Sequence, residues 1–510
     1  MYRFMCRVTF GVGRSTNPIR GMRLLSFVQP CTQSSNVLSG IRKISTKASG
    51  KSERKQRLYG QPVPETHPHM MKRGEITPGI PAIEYELRRS KLMSLLPENS
   101  VVISLGYRTR YMSNNVFYPF HQNTDFWYLC GFNEPDSALV LEKNSSSRGY
   151  KMILFVPPRH RDIEMWEGAR TGIDGAIEKF GADEAYDTAS FNRYIEEQLS
   201  RDTTRQLFLD IPPAEPSILS LETLATPHRA VSTAHDKSIR PLSPLIQELR
   251  LIKSRTESVL MRQAGEITAK AFIEGMRFTR PGMTEHQLHA KLDFECRVRG
   301  AQMLAYVPVV ASGQNALTIH YVTNDMVMKD GDLVLVDAGG EYNGYVSDVT
   351  RTWPINGRFS DPQREIYQAV LNVQKQCIKL CTEKQNISLN GIHAQSERML
   401  GEELSKLGIR VPERDLSTRL YPHHIGHYLG LDVHDTHDID RVRRLREGMV
   451  VTIEPGLYIP FDDAYPKKYQ GIGVRIEDNV LVGKEDPIIL SVTAPKEVVD
   501  IEFCCQSGRE

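Results

Sequence analysis

Two aspartates stand in a stretch of the chain that has the pattern of a β-hairpin. The stretch reads DLVLVDAGGEYNGYVSDVTRTWP, and its two apolar arms carry Asp337 and Asp348. Asn343-Gly344 lies between the arms and is the strongest two-residue hairpin signal. A turn there places Asp337 opposite Thr350, with Asp348 as a diagonal neighbour on the same face. Two carboxylates held so close repel each other unless a cation lies between them. The alternative, two solvent-facing aspartates, fits poorly with the buried character of both arms.

A cluster of histidines could add a nitrogen ligand to such a site. The segment YPHHIGHYLGLDVHD has four of them within twelve positions, namely His423, His424, His427 and His434. The whole chain has 15 histidines in 510 residues, so this density beside two glycines is far above chance. Carboxylates favour Mn, Mg or Ca, and Zn or Fe become suitable ions where an imidazole joins them.

Two glutamates in later strand-like segments complete the set. Glu454 lies in GMVVTIEPGLYI, and Glu477 lies in GIGVRIEDNVLV with Arg475 on the same strand face. We expect Arg475 to hold Glu477 ionised and oriented. Either glutamate alone could be an edge-strand carboxylate. Two aspartates, one histidine and two glutamates together suffice for two metal ions about 3.5–4 Å apart, a centre suited to hydrolysing an amide beside a free amine.

The elements that must position these residues suggest an α/β domain followed by an α+β domain. Between residues 82 and 243, the strand-like runs SVVISLG, SALVLEK, YKMILFVPP and QLFLDIPP alternate with helical segments, which predicts a mixed sheet. From 244 to 510, helical patterns and hairpin signals predict helices outside a largely antiparallel sheet. Ser254 with Glu257, and Thr284 with Gln287, fit capping boxes at two helix starts. Residues 51–81, rich in proline, glycine and histidine, read as an extended lead-in.

The first fifty residues have a different composition. Nine basic residues precede the first acidic one, Glu53, serine and threonine are frequent, and no long apolar run follows the first arginines. This composition is typical of an organelle transit peptide, so residues 1–50 predict mitochondrial import, with the matrix as destination and a cut between Arg42 and Lys51. The alternative is a basic tail that stays attached. A form without this segment would be cytoplasmic.

Composition narrows the other function classes. The formal net charge of +2 gives no basic face, so nucleic acid is not an expected partner. No apolar run approaches the roughly 20 residues that span a bilayer, so we expect no membrane span and a soluble mature protein. The eight cysteines are scattered without a CxxC pair, which argues against a disulfide framework or a zinc knuckle. Cys377 and Cys381 are predicted to be core thiols on one helix face.

The order Asp337, Asp348, His427, Glu454, Glu477 resembles the metal set of the pita-bread metallopeptidases, which include aminopeptidase P, prolidase and methionine aminopeptidase. The motifs VDAGGEYNGYVSDVTRTWP, HHIGHYLGLDVHD, TIEPG and GVRIED carry this resemblance. YPFHQNTDFWYLCGFNEPDSALVL is similar to a segment of the N-terminal domain of aminopeptidase P, and the lead-in resembles the mitochondrial branch of that family. The implied fold is an aminopeptidase P N-terminal domain followed by a pita-bread catalytic domain.

The resemblance also implies a role for each site residue. Asp348 and Glu477 would bridge two divalent ions, Asp337 would complete one site, and His427 with Glu454 would complete the other. Glu454 would also shuttle a proton. His320 and His434 would polarise the scissile carbonyl. Tyr306 would contact the substrate, and His423 and Arg475 would support the ligands from behind. Mn²⁺ is the expected ion, with Zn, Co and Fe as alternatives.

The implied activity is release of the N-terminal residue from peptides or proteins, with a preference for proline in the second position. Two alternatives share this chemistry: trimming of a bulky N-terminal residue after presequence cleavage, and cleavage of dipeptides as in prolidase. A non-catalytic binding module on the same fold is a different class, but all five ligand positions are filled. The resemblance also suggests a homodimer formed through the N-terminal domain.

Overall fold

The structure, a computed structural model, describes residues 57–201, 205–210 and 239–507. The chain divides into two compact units, Met1–Lys55 and Gln56–Glu510, and every described residue belongs to the second. The predicted transit segment 1–50 therefore lies outside the described residues. Within the described ranges, no helix joins the length and apolar character that crossing a bilayer requires.

The N-terminal part is built on a six-stranded mixed sheet, as the sequence predicts. Across the sheet the strands are β10 (Ile239–Arg240), β9 (Gln206–Leu209), β3 (Ser100–Leu105), β6 (Ala138–Lys143), β7 (Tyr150–Val156) and β8 (Glu184–Asp187). The pairs β3–β6 and β6–β7 are antiparallel, and the other three pairs are parallel. Two small hairpins pair β1 (Glu75–Thr77) with β2 (Ile80–Pro81) and β4 (Tyr111–Ser113) with β5 (Val116–Phe117).

Successive side chains of each strand point to opposite faces of this sheet. Helices pack on both faces. They are α1 (Ala82–Leu95), α2 (Thr124–Cys130), α4 (Gly172–Phe180) and α5 (Phe191–Arg201), whereas α3 (Arg161–Glu167) has no buried residue. On β3, Val102 belongs to the apolar cluster shared with α1 and α2, whereas Val101 packs in the cluster of Phe191 and Ile195 from α5.

The C-terminal part has helices outside several antiparallel sheets. The helices are α6 (Ser243–Leu251), α7 (Arg255–Phe278), α8 (Glu285–Val298), α9 (Asp361–Lys379), α10 (Leu389–Lys406) and α11 (Val498–Ser507). The strands are β11 (Met303–Leu304), β12 (Val309–Ser312), β13 (Leu333–Ala338), β14 (Gly340–Tyr342), β15 (Tyr345–Val346), β16 (Val349–Pro354), β17 (Val450–Ile453), β18 (Gly456–Tyr458), β19 (Gly473–Arg475), β20 (Asp478–Leu481) and β21 (Ile488–Ile489). Every pairing among these strands is antiparallel.

Local sequence signals start the helices where the structure has them. Both predicted capping boxes are present, Ser254 with Glu257 at α7 and Thr284 with Gln287 at α8. In α9, Cys377 is fully buried on the apolar face, as predicted. Cys381 is also buried, but it lies two residues beyond the helix end at Lys379.

The predicted hairpin forms in the expected register. Asn343 and Gly344 have φ of 51° and 84°, the left-handed conformation that a tight two-residue turn requires. Tyr342 pairs with Tyr345 beside the turn, and further along the same register Asp337 pairs with Thr350.

Candidate metal centre

Five side chains from four segments converge behind the hairpin. Asp348, His427 and Glu477 each offer a ligand atom, and these three atoms lie within 4.8 Å of one another. Nε2 of His427 lies 3.4 Å from Oδ2 of Asp348 and 3.8 Å from Oε1 of Glu454. Asp337 joins the group through Tyr306, whose hydroxyl lies 2.6 Å from Oδ1 of Asp337 and 2.5 Å from Oδ1 of Asp348.

The local backbone explains why these carboxylates meet. Asp337 ends an apolar strand, and Asp348 lies where the opposite arm is interrupted between β15 and β16. Asn479 holds this interruption, since its side-chain oxygen accepts hydrogen bonds from the Ser347 hydroxyl at 2.9 Å and from the Asp348 N–H at 3.1 Å. No sequence signal indicated a role for Asn479 beyond its place two residues after Glu477.

Arg475 has a different carboxylate partner from the predicted one. The sequence pattern predicts that it orients Glu477, but its guanidinium donates to Oδ2 of Asp337 at 2.6 Å. Its Nε donates to the Thr350 hydroxyl at 3.1 Å, and that hydroxyl donates to Oε2 of Glu477 at 2.7 Å. Arg475 therefore supports Glu477 only through Thr350, a residue that the sequence analysis used to set the register and did not recognise as part of the site.

Two of the other histidines, His434 and His423, contact the cluster. The ring of His434 packs edge-on against that of His427, with centroids 4.5 Å apart. His423 lies 3.6 Å from Glu454 through Nδ1 and 2.8 Å from the Tyr458 hydroxyl through Nε2. His320 is exposed. Burial is the main cause of the lowered pKa of His434, with His427 as the next largest cause in the same direction. His424 points away from the cluster and stacks on His393 at 4.6 Å.

Burial and crowding set the electrostatics of the carboxylates. Burial raises the pKa of Glu477 well above its usual range, and the charges of Asp348 and Glu454 raise it further. Burial raises the pKa of Glu454 to about 7, against the opposing charges of His427 and Arg475. Burial would also raise the pKa of Asp348, but the combined effects of His427, Tyr306 and Asp337 outweigh burial and lower it. Burial would lower the pKa of His427, but Asp348, Glu454 and the carbonyl of Tyr428 together outweigh burial and raise it to about 9.

This arrangement fits divalent metal ions. Four buried or half-buried carboxylates repel one another, and a bound dication supplies the opposing charge that a single imidazole and Arg475 provide only in part. Oxygen-rich sites with one imidazole accept Mn, Zn or Fe. A cavity of about 500 Å³ opens beside His427 and His434 and is lined also by Asn390 and Arg441, so a substrate could reach the cluster.

Comparison with known proteins identifies the family to which both parts of the chain belong. Residues 259–484 match the model of metallopeptidase family M24, and residues 85–208 match that of the aminopeptidase P N-terminal domain. The chain is 46% identical over 468 residues to human Xaa-Pro aminopeptidase 3, an alignment covering 89% of this chain and 91% of the relative. It is 41% identical over 446 residues to Arabidopsis thaliana intermediate cleaving peptidase 55, mitochondrial, covering 88% and 87% respectively.

A solved structure shares the whole architecture. The crystal structure of Icp55 from Saccharomyces cerevisiae, lacking its N-terminal 58 residues, is 40% identical and superimposes with a TM-score of 0.78. The match covers 85% of this chain and 100% of the yeast one. Both domains thus have counterparts in known proteins. The chain belongs to metallopeptidase family M24 and is a metal-dependent aminopeptidase of the aminopeptidase P type.

Proposed function

We propose that the protein is a two-metal Xaa-Pro aminopeptidase whose ligands are Asp337, Asp348, His427, Glu454 and Glu477. The convergence of these five side chains, which come from segments 140 positions apart in the sequence, carries the proposal. Asp348 and Glu477 would hold both ions, Asp337 would hold one of them, and His427 with Glu454 would hold the other. Mn²⁺ is the proposed ion because the donor set has four carboxylates and a single imidazole.

Bound ions of this kind lower the pKa of a water molecule and stabilise charge on the substrate carbonyl oxygen. The side chains around them supply the remaining steps. Glu454 accepts the proton of the attacking water and delivers it to the leaving nitrogen. His434 and His320 donate hydrogen bonds to the carbonyl oxygen as it gains charge. Tyr306 contacts the substrate, while His423 and Arg475 hold Glu454 and Asp337 in place.

The proposed substrates are peptides or proteins with a free N-terminus and proline in the second position. Similarity to human Xaa-Pro aminopeptidase 3 supports this preference. Proline forms a tertiary amide with restricted φ, so a pocket shaped for its ring could select it. Prolidase-like cleavage would instead require recognition of a free carboxylate directly after the proline.

A second candidate function is removal of a bulky N-terminal residue from proteins after presequence cleavage in mitochondria. Similarity to intermediate cleaving peptidase 55 supports it, as does the acid-free, arginine-rich segment 1–50.

We propose segment 1–50 as the transit peptide, and residues 82–243 and 244–510 as the two domains. Fusing residues 1–50 to a fluorescent protein tests the location, because fluorescence confined to the cytosol would contradict it. Light scattering of the purified protein tests the proposed homodimer.

The central test replaces two ligands with isosteric neutral residues. We expect Asp348→Asn and Glu454→Gln to lower kcat/KM for a Xaa-Pro-Xaa tripeptide by at least about 100-fold, since even residues behind metal ligands contribute 10–100-fold. Circular dichroism should show an intact fold in both. Asp293→Asn, which alters an exposed helix pair with Arg297, is the matched control. Near-wild-type activity in either ligand variant would refute the site.

The same preparation separates the substrate classes and identifies the metal. Elemental analysis should find close to two ions per wild-type chain, mainly Mn. A peptide panel should show faster cleavage of Xaa-Pro-Xaa than of the Xaa-Pro dipeptide. Faster cleavage of the dipeptide would favour prolidase-like activity, and efficient release of bulky residues before residues other than proline would favour the processing role.

A further inference from the structure

The loop that joins His427 to His434 folds back on itself. The Asp435 N–H donates to the carbonyl of Tyr428 at 3.0 Å, and the Val346 N–H of the hairpin donates to the carbonyl of Gly430 at 3.0 Å. The carboxylate of Asp435, 2% exposed, packs directly against Gly430, where a methyl group would overlap it. The loop therefore depends on where the carboxylate of Asp435 is held.

The backbone immediately after Asp435 is strained. Thr436 has φ of 48°, in the left-handed region that β-branched residues rarely adopt, and it is buried. Such a conformation persists only where surrounding contacts fix it. The contacts around Thr436 must therefore stabilise a backbone conformation that is unfavourable for threonine.

Those contacts converge on Arg250 of α6. Its guanidinium donates to Asp435 and, at 2.6 Å, to Oδ2 of Asp432, so it holds the loop on both sides of His434. Lys253 donates to the other oxygen of Asp435 at 2.9 Å. Arg250 is 4% exposed, which shields these charge pairs from solvent.

The N-terminal part of the chain fixes Arg250 in turn. Asp125 of α2 accepts from Nη1 of Arg250 at 2.6 Å through one oxygen, and from the Ser243 hydroxyl at 2.8 Å through the other. Thr124, its neighbour, donates to Oδ2 of Asp432 at 2.8 Å. Thr124 of α2 thus contacts the loop that carries His434 directly, across more than 300 positions of sequence, and Asp125 reaches it through Arg250.

We propose that Asp125 and Thr124 are positioning residues for His434, acting through Arg250 and Asp432. The inference rests on the proposed function, in which His434 donates to the substrate carbonyl. The N-terminal domain then contributes to turnover without touching the substrate, by fixing the loop on which a carbonyl-polarising ring depends. Since small misplacements of such a group cost up to about 100-fold in rate, the effect should be measurable in kcat.

The test is a double-mutant cycle on the metal-loaded full chain with a Xaa-Pro-Xaa peptide. We expect Asp125→Asn to lower kcat by about 10-fold or more with KM changed less than about 2-fold. In a His434→Gln background the same substitution should have no further effect. Asp125→Glu, which keeps the charge, should retain more activity than Asp125→Asn. Thr124→Val keeps the ion pair between Asp125 and Arg250 but removes the hydroxyl that accepts from Arg250 and donates to Asp432. It should show the same non-additivity if Asp125→Asn fails to fold.

The control is Glu248→Gln, which removes an exposed pair between α6 and Arg443 beyond the His434 loop. It should leave kcat unchanged. Multiplicative losses for Asp125→Asn and His434→Gln, or full activity of His434→Gln, would overturn the inference. These outcomes differ from failure of the proposed function, because Glu454→Gln reports on the hydrolytic centre regardless of Asp125.

Discussion

The hydroxyl of Thr350 contacts two residues of the candidate centre, Arg475 and Glu477. Thr350 is fully buried, faces Asp337 across the hairpin, accepts from Nε of Arg475 and donates to Glu477. Its hydroxyl thus connects the proposed bridging glutamate to the arginine that holds Asp337. Groups that orient metal ligands in this way commonly contribute as much to metal affinity as weak ligands do.

Thr350→Val keeps the shape of the side chain and removes this connection. We expect a 10–100-fold loss of metal affinity or of kcat/KM, because Glu477 loses its only hydroxyl donor among the described residues and Arg475 loses an acceptor. Thr352→Val is the matched control on the same strand face, since its hydroxyl bonds only the backbone of Arg475. Calorimetric metal titration and peptide kinetics measure both. Equal losses in the two variants would assign the effect of Thr350 to general destabilisation.

At this scale the sequence predicted which aspartates meet but not every contact between them. Asp337 and Asp348 could be paired because an Asn-Gly turn fixes a register by local backbone chemistry. The carboxylate partner of Arg475 could not be predicted, because a long side chain can reach a neighbouring strand. The pairing of that strand is not encoded locally. The role of Asn479 could not be predicted for the same reason, since its side chain contacts the hairpin about 130 positions earlier in the sequence.

Among the elements, the hairpin depends on one glycine opposite Asp348. Gly339 lies between β13 and β14, where a methyl group would overlap the carbonyl of Ser347, a backbone atom that cannot rotate away. The close approach of the two arms brings Asp348 into the centre. A side chain at Gly339 must therefore push the Ser347–Asp348 peptide outward.

Gly339→Ala should lower both stability and activity. We expect about 1–3 kcal/mol of destabilisation from overpacking, and a loss of kcat/KM beyond that expected from the unfolded fraction. Gly401→Ala in α10 has ample space, since its nearest neighbour would be Leu416 at 3.8 Å, so it should stabilise by about 0.5–1 kcal/mol. Denaturant unfolding and kinetics check both. An active, stable Gly339→Ala protein would show that the arms can separate without cost.

Element types followed well from the sequence where local signals were strong. Both capping boxes and the alternating strands of the N-terminal sheet were predicted, because hydrogen bonds within a turn and side-chain periodicity are local. The lead-in was predicted as extended, yet it contains the short β1–β2 hairpin. Its turn, at Pro78-Gly79, was not recognised, and Gly79 has φ of 84° there.

On the scale of the whole molecule, buried ion networks join the N-terminal part to the catalytic part. In the first network, the guanidinium of Arg88 in α1 lies 3.2 Å from the carboxylate of Glu257 in α7 and donates to the Tyr345 hydroxyl at 3.2 Å. Arg88 and Glu257 are both buried. Arg250 forms the second network with Asp125, Asp432 and Asp435. Such contacts form only when distant segments have folded, so no sequence pattern revealed them.

The second network makes stability depend on pH in a specific direction. Burial works against ionisation of Asp435, but Arg250 and Lys253 outweigh it and hold the pKa of this carboxyl below its ordinary value. The folded protein therefore gains stability from ionised Asp435 above the unfolded pKa of about 4, and loses it as pH falls. Asp435→Asn removes this gain and leaves two buried cations underpaired, a cost of about 3 kcal/mol at neutral pH. Because other acidic groups titrate equally in both proteins, the difference between their unfolding midpoints should be constant near neutrality and shrink below about pH 4. A difference that stayed constant down to about pH 3 would mean that folding does not lower the pKa of Asp435.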